Sequence, residues 1–170
     1  MIEQHPFLFY WLIAGILCFT INKLTLIFMN EKKKHVVIAL IVGMTVFIWS
    51  NSMLSRQESA QMSGGLMAWL ESALHLRIPE VVIRKAGHFC EYAVLGFLYG
   101  IKFRQGRKNG QWVYNYTMAG LATAVADESI QILSGRAPMV ADILLDLCGF
   151  AAGFWVLQAL VGLIRKCKRT

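Results

Sequence analysis

Five stretches of about 20 mostly apolar residues constrain this chain more than any other feature. They lie at residues 7–29, 36–53, 81–103, 112–133 and 140–164. At about 1.5 Å of rise per residue, each comes close to crossing the roughly 30 Å of hydrocarbon in a bilayer. No water reaches that layer, so the backbone groups of a crossing segment must bond to one another, which makes these segments helices. Composition agrees. The chain is 56% hydrophobic and 16% charged, whereas a soluble domain carries about 25% charged residues. A soluble domain is thereby excluded. The expected fold is an all-α polytopic transmembrane bundle of about five spans.

The loops orient it. Lys32, Lys33 and Lys34 follow the first run; Lys102, Arg104, Arg107 and Lys108 the third; Arg165, Lys166, Lys168 and Arg169 the fifth. With five crossings all three clusters fall on one side, which is the cytoplasmic side by the positive-inside rule. The N-terminus is then outside and the C-terminus inside. Lys23 lies near the inner end of the first run and can snorkel there. The net charge of +7 arises from these flanking clusters, so a nucleic-acid partner is not expected.

The segment Met1–Pro6 has no basic n-region and no A-x-A site follows, so the first span is expected to be retained. Residues 1–35 thus read as an N-terminal span with its basic cytoplasmic loop, and residues 36–170 as the main membrane domain. The external loop at 54–80 contains Leu66, Trp69, Leu70, Ala73 and Leu74 after Gly64 and Gly65. That spacing suits an amphipathic helix in the outer interface, the alternative being a re-entrant or packed loop. Cys18, Cys90, Cys148 and Cys167 form no C-x-x-C and read as free thiols.

Ionisable side chains inside spans are costly and face a bundle interior or water. Here they are concentrated. The third run carries Lys85, His88, Glu91 and Tyr92; the fourth Asp127, Glu128 and Gln131; the fifth Asp142 and Asp146. Within each run the spacing places them on one helix face. The turn between the fourth and fifth runs holds Ser134, Gly135, Arg136 and Pro138, and the second run ends in Ser50, Asn51 and Ser52. The orientation puts the charged residues of the third, fourth and fifth runs at one depth in the outer leaflet, around a shared external cavity. Arg136 suits an anion, since its planar fork matches carboxylate or phosphate. A purely structural reading sets Lys85, His88 and Arg136 against Asp127, Glu128 and Asp142 as pins between helices. Gly149 and Gly153 form a G-x-x-x-G that reads as close helix packing, within the chain or as a homo-oligomer contact. His5, His35 and His75 show no ligand spacing.

The segment Arg84-Lys85-Ala86-Gly87-His88-Phe89-Cys90-Glu91-Tyr92, followed by Leu95-Gly96, resembles the first signature of the VanZ-like membrane proteins. Asp127-Glu128-Ser129-Ile130-Gln131, then Gly135-Arg136, Asp142, Gly149 and Gly153, resembles their second. The resemblance covers roughly residues 36–164. It departs at Asp146, where the family typically carries asparagine; the aspartate either adds a negative charge beside Asp142 or is protonated. The resemblance implies a multi-pass protein of the bacterial cell membrane. It also implies a link to low-level resistance to teicoplanin, a lipid-tailed glycopeptide acting at the external face.

Three functions compete. A non-enzymatic envelope protein would bind a lipid-linked or glycopeptide ligand through Lys85 and Arg136, with Asp127, Glu128 and Asp142 orienting it. A membrane-embedded enzyme acting on a lipid or peptidoglycan precursor would use His88 or Glu128 as general base, Arg136 to stabilise negative charge, and a divalent metal on His88, Glu91, Asp127 and Asp142. No H-E-x-x-H or other catalytic motif supports it, and no metal or other cofactor is assigned. A small transporter is the third, weakened by the lack of an evident internal repeat.

Overall fold

The computed structural model describes residues 33–55, 57–61, 64–65, 72, 75, 79–106, 109–135 and 139–167. Four long helices organise them: α1 (Lys34–Ser52), α2 (Glu80–Gln105), α3 (Gly110–Leu133) and α4 (Val140–Cys167). There are no strands among the described residues. The fold is all-helical, as the apolar runs predict. The first run, at 7–29, and the apolar positions of the proposed interfacial helix, Leu66 to Leu74, lie outside the described residues.

Local signals set the helix ends. Asn109 accepts a 3.1 Å hydrogen bond from the backbone N–H of Trp112 and caps α3. At the other end of α3 the chain reverses through Gly135, whose φ of +72° is a left-handed conformation that favours glycine. Lys102 and Arg104 in the last turn of α2, and Arg165 and Lys166 in that of α4, complement the helix dipoles. The 54–80 loop opens on a capping box. The Ser55 N–H and hydroxyl donate to Glu58 at 2.8 and 2.7 Å, and the Glu58 N–H returns to Ser55, ahead of helical residues 57–61. Those two donors hold the fully exposed Glu58 carboxyl below its ordinary range.

Several polar residues face the interior of the bundle, and many large apolar ones face outward. Asp127, Glu128, Gln131 and Asp146 are buried, while Val42, Val46, Phe47, Leu144, Trp155 and Leu163 are exposed. Two helices, Lys34–Ser52 and Val140–Lys166, are long and apolar enough to cross a membrane by themselves. Only 17% of the apolar stretch of α1 is buried, unlike the core helix of a soluble protein. The inward-facing polar groups keep α2 and α3 below that compositional threshold, although their 26 and 24 residues reach about 39 and 36 Å.

Glycine sets how the helices meet. A Cβ on Gly96 would collide with the Phe150 carbonyl, one on Gly149 with that of Phe89, and one on Gly153 with that of Ala93. The α2 and α4 backbones therefore touch along a seam from Phe89 to Gly100. Gly149 and Gly153 are thus taken up inside the chain. Both therefore serve the within-chain packing expected of the G-x-x-x-G. Beside the seam lies an apolar core that includes Tyr92, Leu95, Phe150 and Leu157. Tyr99 stacks on Phe150 and Tyr116 at ring separations of 5.4 and 5.3 Å.

Candidate functional site

The end of α1, the start of α2, the end of α3 and the start of α4 converge at one end of the bundle, and the polar residues meet there. Nine of the ten expected site residues are described; Arg136 lies outside the described residues. The nine described residues fall into three sets of contacts.

The first is on the surface. The Lys85 Nζ donates to Asp142 Oδ1 at 2.6 Å, with the two side chains 41% and 25% exposed. This pair joins α2 to α4 just beyond the glycine seam. One helical turn further along α2 begins a groove lined only by apolar groups: Phe89, Ala93, Val94 and Phe97 from α2, with Ala152, Gly153 and Val156 from α4. Its volume is about 350 Å³. A charged pair therefore stands at the head of an apolar slot.

The second set ties helices together. Asn51 donates to Glu91 at 2.7 Å, joining α1 to α2. Glu128, 3% exposed, accepts from Gln131 Nε2 at 2.8 Å and from the backbone N–H of Met139 at 3.0 Å. Its carboxylate thus sits at the N-terminus of α4, where the helix dipole favours negative charge. This engagement places Glu128 as a cap at the start of α4. The Ser134 hydroxyl donates to the Ser52 carbonyl at 2.7 Å, fixing the α3–α4 turn on the end of α1.

The third set is the most buried. His88 Nδ1 lies 3.7 Å from Asp127 Oδ2 and 4.0 Å from Asp146 Oδ1. Asp127, Asp146 and Tyr92 are each 0% exposed. The Ser52 hydroxyl donates to Asp127 Oδ1, which leaves Oδ2 turned to His88. Asp146, one turn from Asp142 on α4, faces His88, which also lies near Asp127, while Asp142 pairs with Lys85. The metal set weighed from sequence is corrected by these contacts. Glu91 and Asp142 are engaged elsewhere, and the carboxylates that join His88 are Asp127 and Asp146.

Ser52 and Asn51 are the residues that a reading confined to α2, α3 and α4 misses. Their signal is the polar Ser50-Asn51-Ser52 triplet closing an otherwise apolar run. At the opposite end, Arg104 Nε donates to Gln158 Oε1 at 2.5 Å. That half of the bundle is therefore not wholly apolar.

The VanZ/LLP1 family model matches residues 7–162. The chain belongs to the VanZ/LLP1 family. The match begins at residue 7, so it takes in the first apolar run, which the two signatures leave outside. It also covers every residue of the three sets just described. No curated protein and no solved structure matches the chain. Family membership and the two apolar helices make this VanZ-family chain a membrane protein.

Proposed function

We propose that the chain is a five-span protein of the bacterial cell envelope that holds a lipid-tailed ligand, such as teicoplanin, at the outer end of the α2–α4 seam. One observation carries this reading: the half-exposed Lys85–Asp142 pair stands one helical turn from the apolar groove between Phe89 and Val156. An anionic group on the ligand would meet Lys85 while its hydrocarbon tail lies in the groove. An exposed ion pair contributes only about 0–1 kcal/mol, so Lys85 can exchange Asp142 for a ligand at little cost. The groove volume falls in the range of about 300–1,000 Å³ typical of ligand sites. The flanking basic clusters support an outward-facing polar end and a cytoplasmic C-terminus.

Two variants test it. Lys85→Glu reverses the charge at the head of the slot, and Ala152→Phe fills the slot without entering the glycine seam. In a susceptible host, the wild-type chain is expected to raise teicoplanin tolerance several-fold, and each variant, at equal protein level, to abolish that gain. Tolerance to a glycopeptide without a lipid tail should not change. Equal tolerance with and without the chain would sink the proposal.

A membrane-embedded enzyme is the second reading, favoured by the buried grouping of His88, Asp127 and Asp146. Profiling of lipid and peptidoglycan precursors with and without the chain separates the two readings, since a pure binder leaves the precursor pool unaltered.

A further inference from the structure

The buried trio lies on different residues from the ligand groove and needs its own account. We propose that His88 Nδ1, Asp127 Oδ2 and the Asp146 carboxylate form a binding site for a divalent transition-metal ion of the Zn²⁺ or Mn²⁺ class.

The argument begins with distance. The three donor atoms all lie within 4.8 Å of one another, and the two contacts of His88 are 3.7 and 4.0 Å. Both exceed hydrogen-bond length. A water bridging two groups by contacts of about 2.8 Å holds them roughly 4.5 Å apart. A tetrahedral ion with bonds of about 2.1 Å holds its ligands roughly 3.4 Å apart. The 3.7 Å separation lies close to the metal value and the 4.0 Å separation about midway between the two, so His88 stands near ligand spacing from both carboxylates.

The second observation is independent of distance. Asp146 is 0% exposed, and neither of its carboxylate oxygens has a hydrogen-bond partner among the described residues. A buried carboxylate oxygen is ordinarily hydrogen-bonded, paired or bound to a metal. Tyr92, also 0% exposed and one turn from His88 on the same face of α2, has a hydroxyl without a partner among the described residues.

Charge points the same way. Two buried carboxylates face one imidazole, a donor set whose charge a divalent ion complements. One imidazole and two carboxylates suit borderline first-row ions better than soft or purely oxygen-seeking ones. Ser52 acts as a positioning residue: by donating to Asp127 Oδ1 it turns Oδ2 toward the site.

The test is calorimetric titration of the full-length chain in lipid nanodiscs with ZnCl₂ and, separately, MnCl₂, alongside metal analysis of the protein as purified. One ion per chain is expected. Asp146→Asn keeps the side-chain shape and is expected to weaken binding at least 10-fold, as is His88→Ala, while Ser52→Ala has a smaller effect. Asp142→Asn, on the surface pair, should bind as the wild type does. An unchanged thermal midpoint of metal-free Asp146→Asn shows that it is folded. Adventitious binding at cysteines or terminal histidines would be the same in wild type and Asp146→Asn, and that equality would overturn the proposal, as would the absence of a stoichiometric ion. Failure of this site leaves the Lys85 groove untouched, because the two share no residue.

Discussion

Gly153→Leu is expected to unfold the bundle more effectively than any other single change, with a loss of about 3 kcal/mol or more. The ordinary cost of overpacking arises where side chains meet and rotamers can relax. At Gly153 the opposing atoms are backbone: a Cβ would fall on the carbonyl of Ala93. Neither partner can rotate away, so α2 and α4 must separate. Separation also opens Gly96 from Phe150 and Gly149 from Phe89. Those contacts matter more in a bilayer than in water, because lipid supplies no hydrophobic drive to press helices together and close van der Waals packing takes its place. Gly162→Leu is the control. A Cβ at Gly162 meets nothing within 4 Å, so that variant should stay within about 0.5 kcal/mol of wild type. Denaturant titration in mixed micelles, followed by circular dichroism, measures both. Equal stability of the two variants would refute the seam.

Glu128→Ala is the second large effect, at about 3 kcal/mol, and it separates two roles for that residue. The substitution removes the acceptor for Gln131 Nε2 and for the Met139 N–H, and leaves the latter without the carboxylate at the start of α4. Hydrogen bonds to charged groups are worth roughly 1.5–3 kcal/mol, and an abandoned buried donor adds its own penalty. Glu128→Gln retains an acceptor of the same shape and should recover at least half of the loss. Recovery of stability and of function together in Glu128→Gln identifies a cap. Restored stability with function still absent would instead make Glu128 a general base and revive the enzymatic reading. Thermal unfolding in detergent, paired with the tolerance assay, distinguishes these outcomes.

Much of this architecture is legible in the amino acids. The apolar runs give α1 to α4 with ends close to those observed, because length and hydropathy alone decide what crosses hydrocarbon. The gathering of Lys85, His88, Asp127, Asp142 and Asp146 at one end follows from span direction. Which polar group meets which does not follow. Spacing fixes the face on which Asp146 lies, but not the rotation and stagger of α4 against α2. Those are set by the carbonyl contacts of Gly149 and Gly153, which place Asp146 against His88 and leave Asp142 for Lys85. The i, i+4 spacing that suggests Asp142 and Asp146 act together is a property of one helix, and their partners belong to others. The acceptor role of Glu128 is hidden in the same way: it depends on the position of the Met139 N–H after the turn. Asn51 and Ser52 join the cluster through the packing of α1, on which its weakly amphipathic sequence gives little guidance.

The two ends of the α2–α4 seam have a mechanical consequence. Lys85–Asp142 joins the helices at one end, Arg104–Gln158 at the other, and touching backbones hold them between. Such a pair moves as a single strut. Its links to α1 and α3 at the polar end are of a different kind, namely single side-chain bonds such as Asn51 to Glu91 and Ser52 to Asp127. Hydrogen bonds of this sort exchange partners over short distances, whereas interlocked backbones do not. A displacement of α1 and α3 along this strut would carry Asp127 with them and leave His88 and Asp146 in place, so it would make or break the trio.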